Sequence, residues 1–293
     1  MHVLLTGGTG LLGRALHKAL TASGDSVTIV SREPHRVPGR SVRWSELDTV
    51  MNDVDAVVNL AGASIAERRW SAARKDELCA SRVEGTRAVV RAIAAAESRP
   101  AVLVNASAVG YYGPRDDTEL DESASTGDGF LASLCRAWEA EARKAEAHGV
   151  RVVRLRFGVV LAPDGGALAR MLIPFRACLG GRLGSGRQWM SWVQVADAAG
   201  LVQACLTNET LSGPVNATAP DPVTNGDFTR ALGRALERPT FLPVPGFALR
   251  LVLGEMASML TTGQRVVPAA ATAAGYEFRH PQLGGALAAC LDP

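Results

Sequence analysis

The stretch His2-Val-Leu-Leu-Thr-Gly-Gly-Thr-Gly-Leu-Leu-Gly13 decides the fold that the chain is predicted to adopt. It opens with a short apolar run, His2–Thr6, typical of a strand buried on both faces of a parallel sheet. Glycines then recur at every third position, and Leu11–Ser23 repeats apolar residues at helical spacing. Gly24 stands where the C-terminal cap of that helix belongs. The predicted order is therefore strand, tight turn and helix.

The same alternation continues through the first half of the chain. Four further short runs rich in Val and Leu are predicted to be strands: Val27–Val30, Ala56–Leu60, Val102–Asn105 and Val152–Leu155. Between them, Trp70–Glu97 and Phe130–His148 have the pattern of amphipathic helices. Strands that alternate with helices indicate a Rossmann-like, doubly wound parallel sheet of the α/β class.

After Leu161 the composition changes, which predicts a smaller C-terminal substrate lobe. Ala162–Gly166 reads as a turn, Gly180–Gly186 is rich in glycine, and prolines punctuate the remainder. We expect residues 1–162 to form the Rossmann domain with 194–218 returning to it, and 163–193 and 219–293 to form the lobe. Within the lobe, Gly246–Leu260 is amphipathic and is interpreted as a packed helix.

The bulk composition is that of a globular protein and excludes several other classes. Hydrophobic residues make up 47%, charged residues 20%, and the formal net charge is +2, so we expect neither a nucleic-acid nor a membrane footprint. No apolar run is long enough to span a bilayer, and the N-terminus lacks a signal-peptide pattern. Five scattered cysteines and dispersed histidines predict no metal site and a cytoplasmic location. The oligomeric state stays open, a homodimer included.

Gly7, Gly10 and Gly13 are the first candidate ligand-binding residues. Gly7 permits the tight turn after the strand, Gly10 lets backbone amides approach a pyrophosphate, and Gly13 lets the helix pack closely on the strand. The helix N-terminus adds unpaired N–H groups and a partial positive charge. A glycine triplet alone is a weak pattern, but the strand before it and the helix after it favour a dinucleotide site.

The end of the second predicted strand distinguishes between the two nicotinamide cofactors. An acidic residue there would bind the adenosine 2′-hydroxyl, but this chain has Ser31 and Arg32, with His35 and Arg36 close behind. A guanidinium matches a 2′-phosphate. The predicted cofactor is therefore NADP(H).

Several motifs resemble those of the extended short-chain dehydrogenase/reductase superfamily. They are Thr6-Gly-Gly-Thr-Gly-Leu-Leu-Gly13, Asn59-Leu-Ala-Gly62 and Asn105-Ala-Ser107. Four more specific motifs resemble its atypical, epimerase-like subfamily of NADP-binding proteins: Arg68-Arg-Trp70, Ser107-Ala-Val-Gly-Tyr-Tyr-Gly113, Arg156-Phe-Gly-Val-Val-Leu161 and Gly184-Ser-Gly-Arg-Gln188. Val244–Pro293 resembles the short C-terminal domain of unknown function of that subfamily, so the resemblance covers the whole chain.

The resemblance implies roles for particular residues. The pyrophosphate would be held by the loop Gly7, Thr9, Gly10, Leu11, Leu12 and Gly13, and the 2′-phosphate by Ser31 and Arg32. Further cofactor contacts are implied for Leu60, Ala61, Gly62, Glu77 and Arg82, and for Val159 and Val160 near the nicotinamide. Substrate contacts are implied for Arg187, Trp192 and Gln194.

The catalytic pattern of that superfamily is incomplete in this chain. A standard member uses Ser together with Tyr and Lys, the last two being four residues apart on one helix face. Ser107, at the carboxyl end of the strand predicted at Val102–Asn105, is the matching Ser and would orient a substrate oxygen. With the helix aligned on Trp138-Glu139, Leu131 and Cys135 take the Tyr and Lys positions. Neither can perform the proton transfer that Tyr performs.

Tyr111 and Tyr112 are the candidate replacements for the missing tyrosine. Tyr111 and Arg115 have the right spacing, but the intervening Gly113-Pro114 makes a continuous helix improbable. The two tyrosines are interpreted equally well as proton donors or as pocket wall.

Two hypotheses for the function follow. The first is an NADP(H)-dependent oxidoreductase or a nucleotide-sugar-epimerase-like enzyme that acts on a small carbonyl or hydroxyl substrate. The second is a non-catalytic NADP(H) sensor or interaction module, favoured by the loss of Tyr and Lys.

Overall fold

The computed structural model describes residues 1–291, so the last two residues of the predicted lobe lie outside the described part. The strands are β1 (His2–Thr6), β2 (Ser26–Val30), β3 (Ser41–Val42), β4 (Ala56–Asn59), β5 (Val102–Ala108), β6 (Glu119–Leu120), β7 (Arg151–Phe157), β8 (Val159–Ala162), β9 (Trp189–Met190), β10 (Trp192–Gln194), β11 (Gly213–Ala217), β12 (Val223–Thr224) and β13 (Arg265–Val266). The α-helices are α1 (Leu11–Ala22), α2 (Leu47–Val50), α3 (Ala72–Ala95), α4 (Phe130–Arg143), α5 (Gly166–Arg176), α6 (Val195–Thr207), α7 (Asn225–Leu236), α8 (Gly246–Leu253), α9 (Ser258–Thr261), α10 (Ala269–Ala273) and α11 (Leu283–Leu291).

Seven strands form one parallel sheet in the order β11-β7-β5-β4-β1-β2-β3. The chain runs from β1 outwards to β3 and then returns to the other side of β1 with β4, so the strand order reverses between β1 and β4. Open α/β sheets bind ligands beyond the carboxyl ends of their strands at such a reversal. All five runs predicted as strands lie in this sheet, and the predicted Rossmann-like α/β fold is confirmed.

Helices cover both faces of the sheet because successive strand residues point to opposite sides. Val3 and Leu5 pack in one core cluster with Leu16 of α1. Leu4 packs in a second cluster on the other face with Ile93 of α3. Apolar side chains on both faces explain why these strands are continuous apolar runs without alternation.

A third core cluster lies in the C-terminal part of the chain. It joins Leu168 of α5, Trp192 of β10, Phe228 of α7 and Leu287 of α11. Strand β8 also belongs there, because it pairs with β10 outside the large sheet. Helix α6 and strand β11 return to the large sheet, where they pack in the first cluster.

The interpretation of Gly246–Leu260 as one packed helix is wrong. The structure has α8, a 3₁₀ turn at Gly254–Ala257 and the short α9 in its place. Gly254 ends α8 in the left-handed region at φ 61°, where a glycine is tolerated and a helix cannot continue. No residue of α8 is buried.

Within residues 1–291, no helix is long and apolar enough to cross a membrane. All five cysteines are free thiols, and Cys135, Cys205 and Cys290 are buried.

Candidate functional site

The loop between β1 and α1 can be built only with glycine at two positions. Gly7 has φ +69°, and a Cβ there would lie 2.7 Å from the carbonyl carbon of Leu60. A Cβ on Gly13 would lie 2.2 Å from the Gly7 carbonyl oxygen. Both distances are far below van der Waals contact with backbone atoms that cannot move aside. The loop is therefore wrapped closely around its own backbone, beside the end of β4.

The N-terminus of α1 offers unpaired backbone N–H groups. Gly10 is the N-cap residue, has no side chain to cap the helix, and donates its own N–H to the Gly7 carbonyl at 3.0 Å. No acidic side chain lies in the first turn. A helix start of this kind attracts an anion through its N–H groups and its dipole.

Ser31 and Arg32 follow β2 at the same edge of the sheet, since Val30 pairs with Thr6 of β1. The Ser31 hydroxyl accepts a hydrogen bond from the Glu33 N–H at 3.1 Å. Arg32 is exposed and has no carboxylate partner in the described part of the chain. Arg36 differs, because it pairs with Glu33 at 2.9 Å. Of these two arginines, Arg32 is therefore the one without a carboxylate partner among the described residues.

Leu60, Ala61 and Gly62 lie directly against the glycine loop. The Ala61 N–H donates to the Thr6 hydroxyl at 3.2 Å, and Leu60 is the residue that a side chain on Gly7 would strike. The side chain of Arg82 on α3 packs against this segment. A Cβ on Gly62 would lie 3.2 Å from the Arg82 guanidinium carbon.

Arg82 is a largely buried cation at the carboxyl edge of the sheet. Its guanidinium donates to the Ala63 carbonyl at 3.1 Å and lies 5.2 Å from the ring centre of Trp138. Burial lowers the pKa of Arg82, while the nearby Cys135 thiol acts in the opposite direction. Arg82 thus brings positive charge close to the position at which the superfamily pattern has Lys.

Glu77, the other α3 residue implied as a cofactor contact, is engaged in ion pairs. Its carboxylate binds Arg74 at 2.7 Å and Arg68 at 2.8 Å. The hydrogen bond from Arg74 lowers the pKa of Glu77. The pair with Arg68 joins the loop after β4 to α3, whereas the pair with Arg74 lies within α3.

A chain of buried hydrogen bonds crosses the carboxyl ends of three neighbouring strands. The Thr6 hydroxyl donates to Asn59 Oδ1 at 2.6 Å, and Asn59 Nδ2 donates to Asn105 Oδ1 at 2.6 Å. Asn59 Nδ2 also lies 2.8 Å from the Thr86 hydroxyl, which accepts from Trp138 Nε1 at 2.9 Å. Fully satisfied buried networks of this type fix the strand ends relative to α3 and α4.

Ser107 belongs to a second buried network, which contains an ion pair. Its hydroxyl donates to Glu139 Oε1 at 2.7 Å. Arg156 donates two hydrogen bonds to the same carboxylate, 2.8 Å from Nε to Oε1 and 3.0 Å from the terminal nitrogen to Oε2. Arg154 lies 3.4 Å from Oε2. Burial opposes the charge on Arg156, but its bonds to Glu139 raise its pKa overall.

Tyr112 continues this network into the core. Its side chain is completely buried, and its hydroxyl donates to Asn216 Oδ1 at 2.7 Å and accepts from Arg156 at 2.9 Å. Burial raises the pKa of Tyr112 to about 12, against the opposite influence of Arg156. A phenol with both hydrogen-bonding functions occupied and a raised pKa is poorly placed to exchange protons with a substrate.

Tyr111 is in a different environment from its neighbour. The Arg156 guanidinium carbon lies 3.5 Å from the centre of its ring, and the two tyrosine rings meet edge to face. Tyr111 is half-buried, and its hydroxyl has no hydrogen bond to the described residues. The chain turns away at Gly113, which has φ 62°, so no helix links Tyr111 to Arg115.

Leu131 and Cys135 lie on α4, next to the turn that follows Ser107. A Cβ on Gly110 would lie 3.2 Å from Leu131 Cβ and 3.9 Å from Cys135 Sγ. Burial raises the pKa of Cys135 to about 11, and the Glu139 carboxylate adds to the effect. A buried thiol with that pKa is an inert core group at neutral pH.

The residues implied as substrate contacts separate into exposed and buried ones. Arg187 is exposed. Trp192 is completely buried, and its indole donates to the Asp221 carbonyl at 3.0 Å. Gln194 is also buried, and its side-chain oxygen caps α6 by accepting from the Ala196 N–H. Trp192 and Gln194 are therefore buried in structural hydrogen bonds and are not exposed to a ligand.

Val159 and Val160 are half-buried residues of β8. The turn after this strand reaches the phosphate loop, because positions 165 and 166 would each strike the Leu11 side chain at 2.9 Å if they carried a Cβ. This brings the start of the lobe over the N-terminus of α1.

Glu139, Arg156 and Asn216 are site residues that the sequence interpretation did not include. Glu139 served there only to align α4. Arg156 begins a motif that resembles the family, but only the pairing of Ser107 with Arg156 across β5 and β7 brings the charges together.

Residues 3–217 match the NAD dependent epimerase/dehydratase family. The chain belongs to that family. Residues 244–290 match a domain of unknown function, DUF1731, which confirms the resemblance of the C-terminal segment. The match to the epimerase/dehydratase family includes the glycine loop, Arg32 and both buried networks.

Similar proteins in this epimerase/dehydratase family cover the full chain. An epimerase family protein of Mycobacterium tuberculosis, MT2273, is 47% identical over 97% of this chain and 96% of its own length. The crystal structure of human epimerase family protein SDR39U1 (isoform 2) with NADPH has a TM-score of 0.93 and 40% identity, covering 100% of this chain and 99% of that one. A nucleoside-diphosphate sugar epimerase from Corynebacterium glutamicum has a TM-score of 0.82 and 32% identity, covering 99% of this chain and 58% of that one.

Proposed function

We propose that this protein binds NADP(H) and acts as an oxidoreductase or epimerase-like enzyme on a small carbonyl or hydroxyl substrate. The observation that carries the proposal is the glycine loop at the reversal of the strand order, with the free guanidinium of Arg32 at the next strand end. The loop matches a pyrophosphate and the guanidinium a 2′-phosphate. The human relative crystallised with NADPH supports the same cofactor.

Several further residues are proposed to contact the cofactor. The Gly7–Gly13 loop, including Thr9, Leu11 and Leu12, would hold the pyrophosphate, and Ser31 would assist Arg32. Leu60, Ala61 and Gly62 would line the adenosine side, with Val159 and Val160 nearer the nicotinamide. Glu77 acts indirectly in this proposal, by holding the loop after β4 through Arg68.

When bound, the nicotinamide would supply or accept a hydride. Ser107 would hold the substrate oxygen. Because its own proton is donated to Glu139, its remaining lone pairs would be available to a ligand as acceptors, which favours a substrate hydroxyl. To donate to a carbonyl, the Ser107 hydroxyl would have to rotate away from Glu139, whose charge Arg156 would still balance.

The proton of the substrate would be handled by Tyr111 or by water. Tyr112 is not proposed as a proton donor, because its buried hydroxyl donates a hydrogen bond to Asn216 and accepts one from Arg156. Arg82 on α3 would supply the positive charge that a standard member of the superfamily takes from a Lys on α4. Among the implied substrate contacts, Arg187 is the residue with an exposed side chain and is kept.

The test is a screen of purified protein with NADPH against a broad panel of carbonyl compounds, and with NADP against alcohols. We expect turnover that Ser107→Ala lowers by about a hundredfold or more and Tyr111→Phe lowers less, since water can substitute. Tight NADPH binding with no oxidation of NADPH by any compound would overturn the catalytic part of the proposal.

A second function is favoured by a separate observation, the presence of Leu131 and Cys135 at the Tyr and Lys positions. In this alternative the protein senses NADP(H) and passes the state of the cofactor to a partner. Its test is a pull-down at high and low NADPH/NADP ratios. Partner binding that is equal with and without cofactor would count against it.

A further inference from the structure

The large apolar side chains on the surface are concentrated in one region. Apart from Met1, the large hydrophobic residues exposed in the described part of the chain fall in two stretches, 165–196 and 238–254. They are Ile173, Leu179, Phe241, Leu242, Phe247, Leu251 and Val252. Phe247 and Leu251 are 76% and 78% exposed and, being four residues apart on α8, lie on one side of the helix.

The two stretches lie side by side on the protein surface. Leu183 and Val244 form a parallel bridge, and the Gly184 N–H donates to the Val244 carbonyl at 2.8 Å. The backbone of Leu242 is so close to Gly181 that a Cβ there would overlap it. The two stretches therefore meet along residues 181–184 and 242–244, and we call the surface that they form the apolar-basic face.

Within the two stretches the charged residues are all arginines, whereas the exposed acidic residues Asp164, Glu237 and Glu255 lie just outside them. Neither stretch contains an Asp or Glu residue, whereas together they contain six arginines: Arg170, Arg176, Arg182, Arg187, Arg238 and Arg250. All six are exposed, and none forms an ion pair with a described residue. The net charge of +2 for the whole chain conceals this local excess.

A second copy of the chain is a poor occupant for this face. A twofold dimer would place the face against itself and bring arginines against arginines, with no acidic residue inside either stretch to separate them. A binding partner must therefore carry negative charge and also provide an apolar environment for the exposed hydrophobic side chains. A bilayer that contains anionic lipids offers both, because its headgroups attract arginines and its acyl boundary accepts exposed Phe and Leu side chains.

We infer that the apolar-basic face docks on the surface of an anionic lipid bilayer, with Phe247 and Leu251 of α8 inserted at the headgroup level. This goes beyond the proposed function. It differs from the expectation of no membrane footprint, which was drawn from the net charge averaged over the chain.

The test is cosedimentation of the full-length protein with vesicles of phosphatidylcholine alone and of phosphatidylcholine mixed with phosphatidylglycerol. We expect binding to the mixed vesicles only, weakening as salt is added. Phe247→Ser/Leu251→Ser should abolish it, and Arg176→Glu/Arg250→Glu should weaken it by about twentyfold or more. Arg91→Glu, an exposed α3 arginine outside the face, is the matched control and should bind normally. Circular dichroism and NADPH binding confirm that each variant is folded.

Three outcomes would overturn the inference. The first is no preference for anionic vesicles at low salt, and the second is an equal loss of binding in Arg91→Glu. The third is a dimer in size-exclusion chromatography that Phe247→Ser/Leu251→Ser converts to monomer, because a second copy would then cover the face.

Discussion

The hydroxyl of Ser107 donates a 2.7 Å hydrogen bond to the carboxylate of Glu139, which is itself held by Arg156. The residue that is expected to orient a substrate is thus anchored to an ion pair whose two members are only 3% and 2% exposed. In a standard member of the superfamily, Tyr and Lys accompany the Ser. Here the same sheet edge is organised by a buried carboxylate and a buried guanidinium.

The first prediction concerns the stability that depends on this ion pair. Glu139→Gln should lower the free energy of unfolding by about 3 kcal/mol or more, because it leaves the Arg156 cation buried without its anion. Urea denaturation measures the change. Glu146→Gln is the control, since Glu146 lies 3.9 Å from Arg143 in an exposed pair, and it should change stability by about 1 kcal/mol or less. Equal effects of the two substitutions would show that Glu139 is not structurally important.

The second prediction concerns the glycine loop. Gly13→Ala should abolish NADPH binding, because the new Cβ would lie 2.2 Å from the Gly7 carbonyl oxygen and would push the loop away from its wrapped conformation. Isothermal titration with NADPH measures the loss. Gly284→Ala in α11 is the control: nothing lies within 4 Å of a Cβ there, so affinity should be unchanged. Retained affinity in Gly13→Ala would place the cofactor elsewhere.

The third prediction tests the choice of cofactor. Arg32→Glu should weaken NADPH by about ten- to hundredfold, because a charge-assisted hydrogen bond to the 2′-phosphate is lost and a like charge takes its place. NADH should change far less. Arg36→Glu is the control and should have a smaller effect on NADPH, since Arg36 already pairs with Glu33. A loss of the same size for NADPH and NADH would contradict the assignment of Arg32.

The parts of the fold that could be predicted are those set by residues close together in sequence. The strand His2–Thr6, the turn at Gly7 and the helix from Leu11 occupy the first 22 residues, and each is specified by local spacing and by glycine. The same holds for the break at Gly113. Phosphate-loop chemistry is local too, which is why it is readable from sequence.

Other features depend on contacts between distant segments and could not be predicted. Glu139 looks like an ordinary helical glutamate until the register of β5 and β7 brings Arg156 beside Ser107. Trp192 and Gln194 lie on a strand of three residues, which is too short for any alternation to tell which side chains face inwards. The exposure of α8 could not be predicted, because an amphipathic pattern specifies an apolar side of a helix without specifying what covers it.

The last prediction is a loss of stability at high pH that depends on Tyr112. Burial raises the pKa of this phenol from 10.0 to about 12, so the folded state favours the neutral form more than the unfolded state does. The resulting stabilisation is fully present below pH 10 and is lost as the pH rises towards 12, because the unfolded chain releases the proton first. A shift of this size corresponds to about 2 to 3 kcal/mol.

Tyr112→Phe should therefore reduce stability at pH 8, since Asn216 and Arg156 lose a partner. It should also make the decrease in the free energy of unfolding between pH 9 and 11 smaller than in the unmodified protein. Urea denaturation across that range checks both effects. Tyr276→Phe is a useful comparison, because burial raises the pKa of Tyr276 as well at a separate site, so the two effects should add. An unchanged pH dependence in Tyr112→Phe would mean that the phenol titrates alike in the folded and unfolded states, and Tyr112 would then return to the candidates for proton transfer.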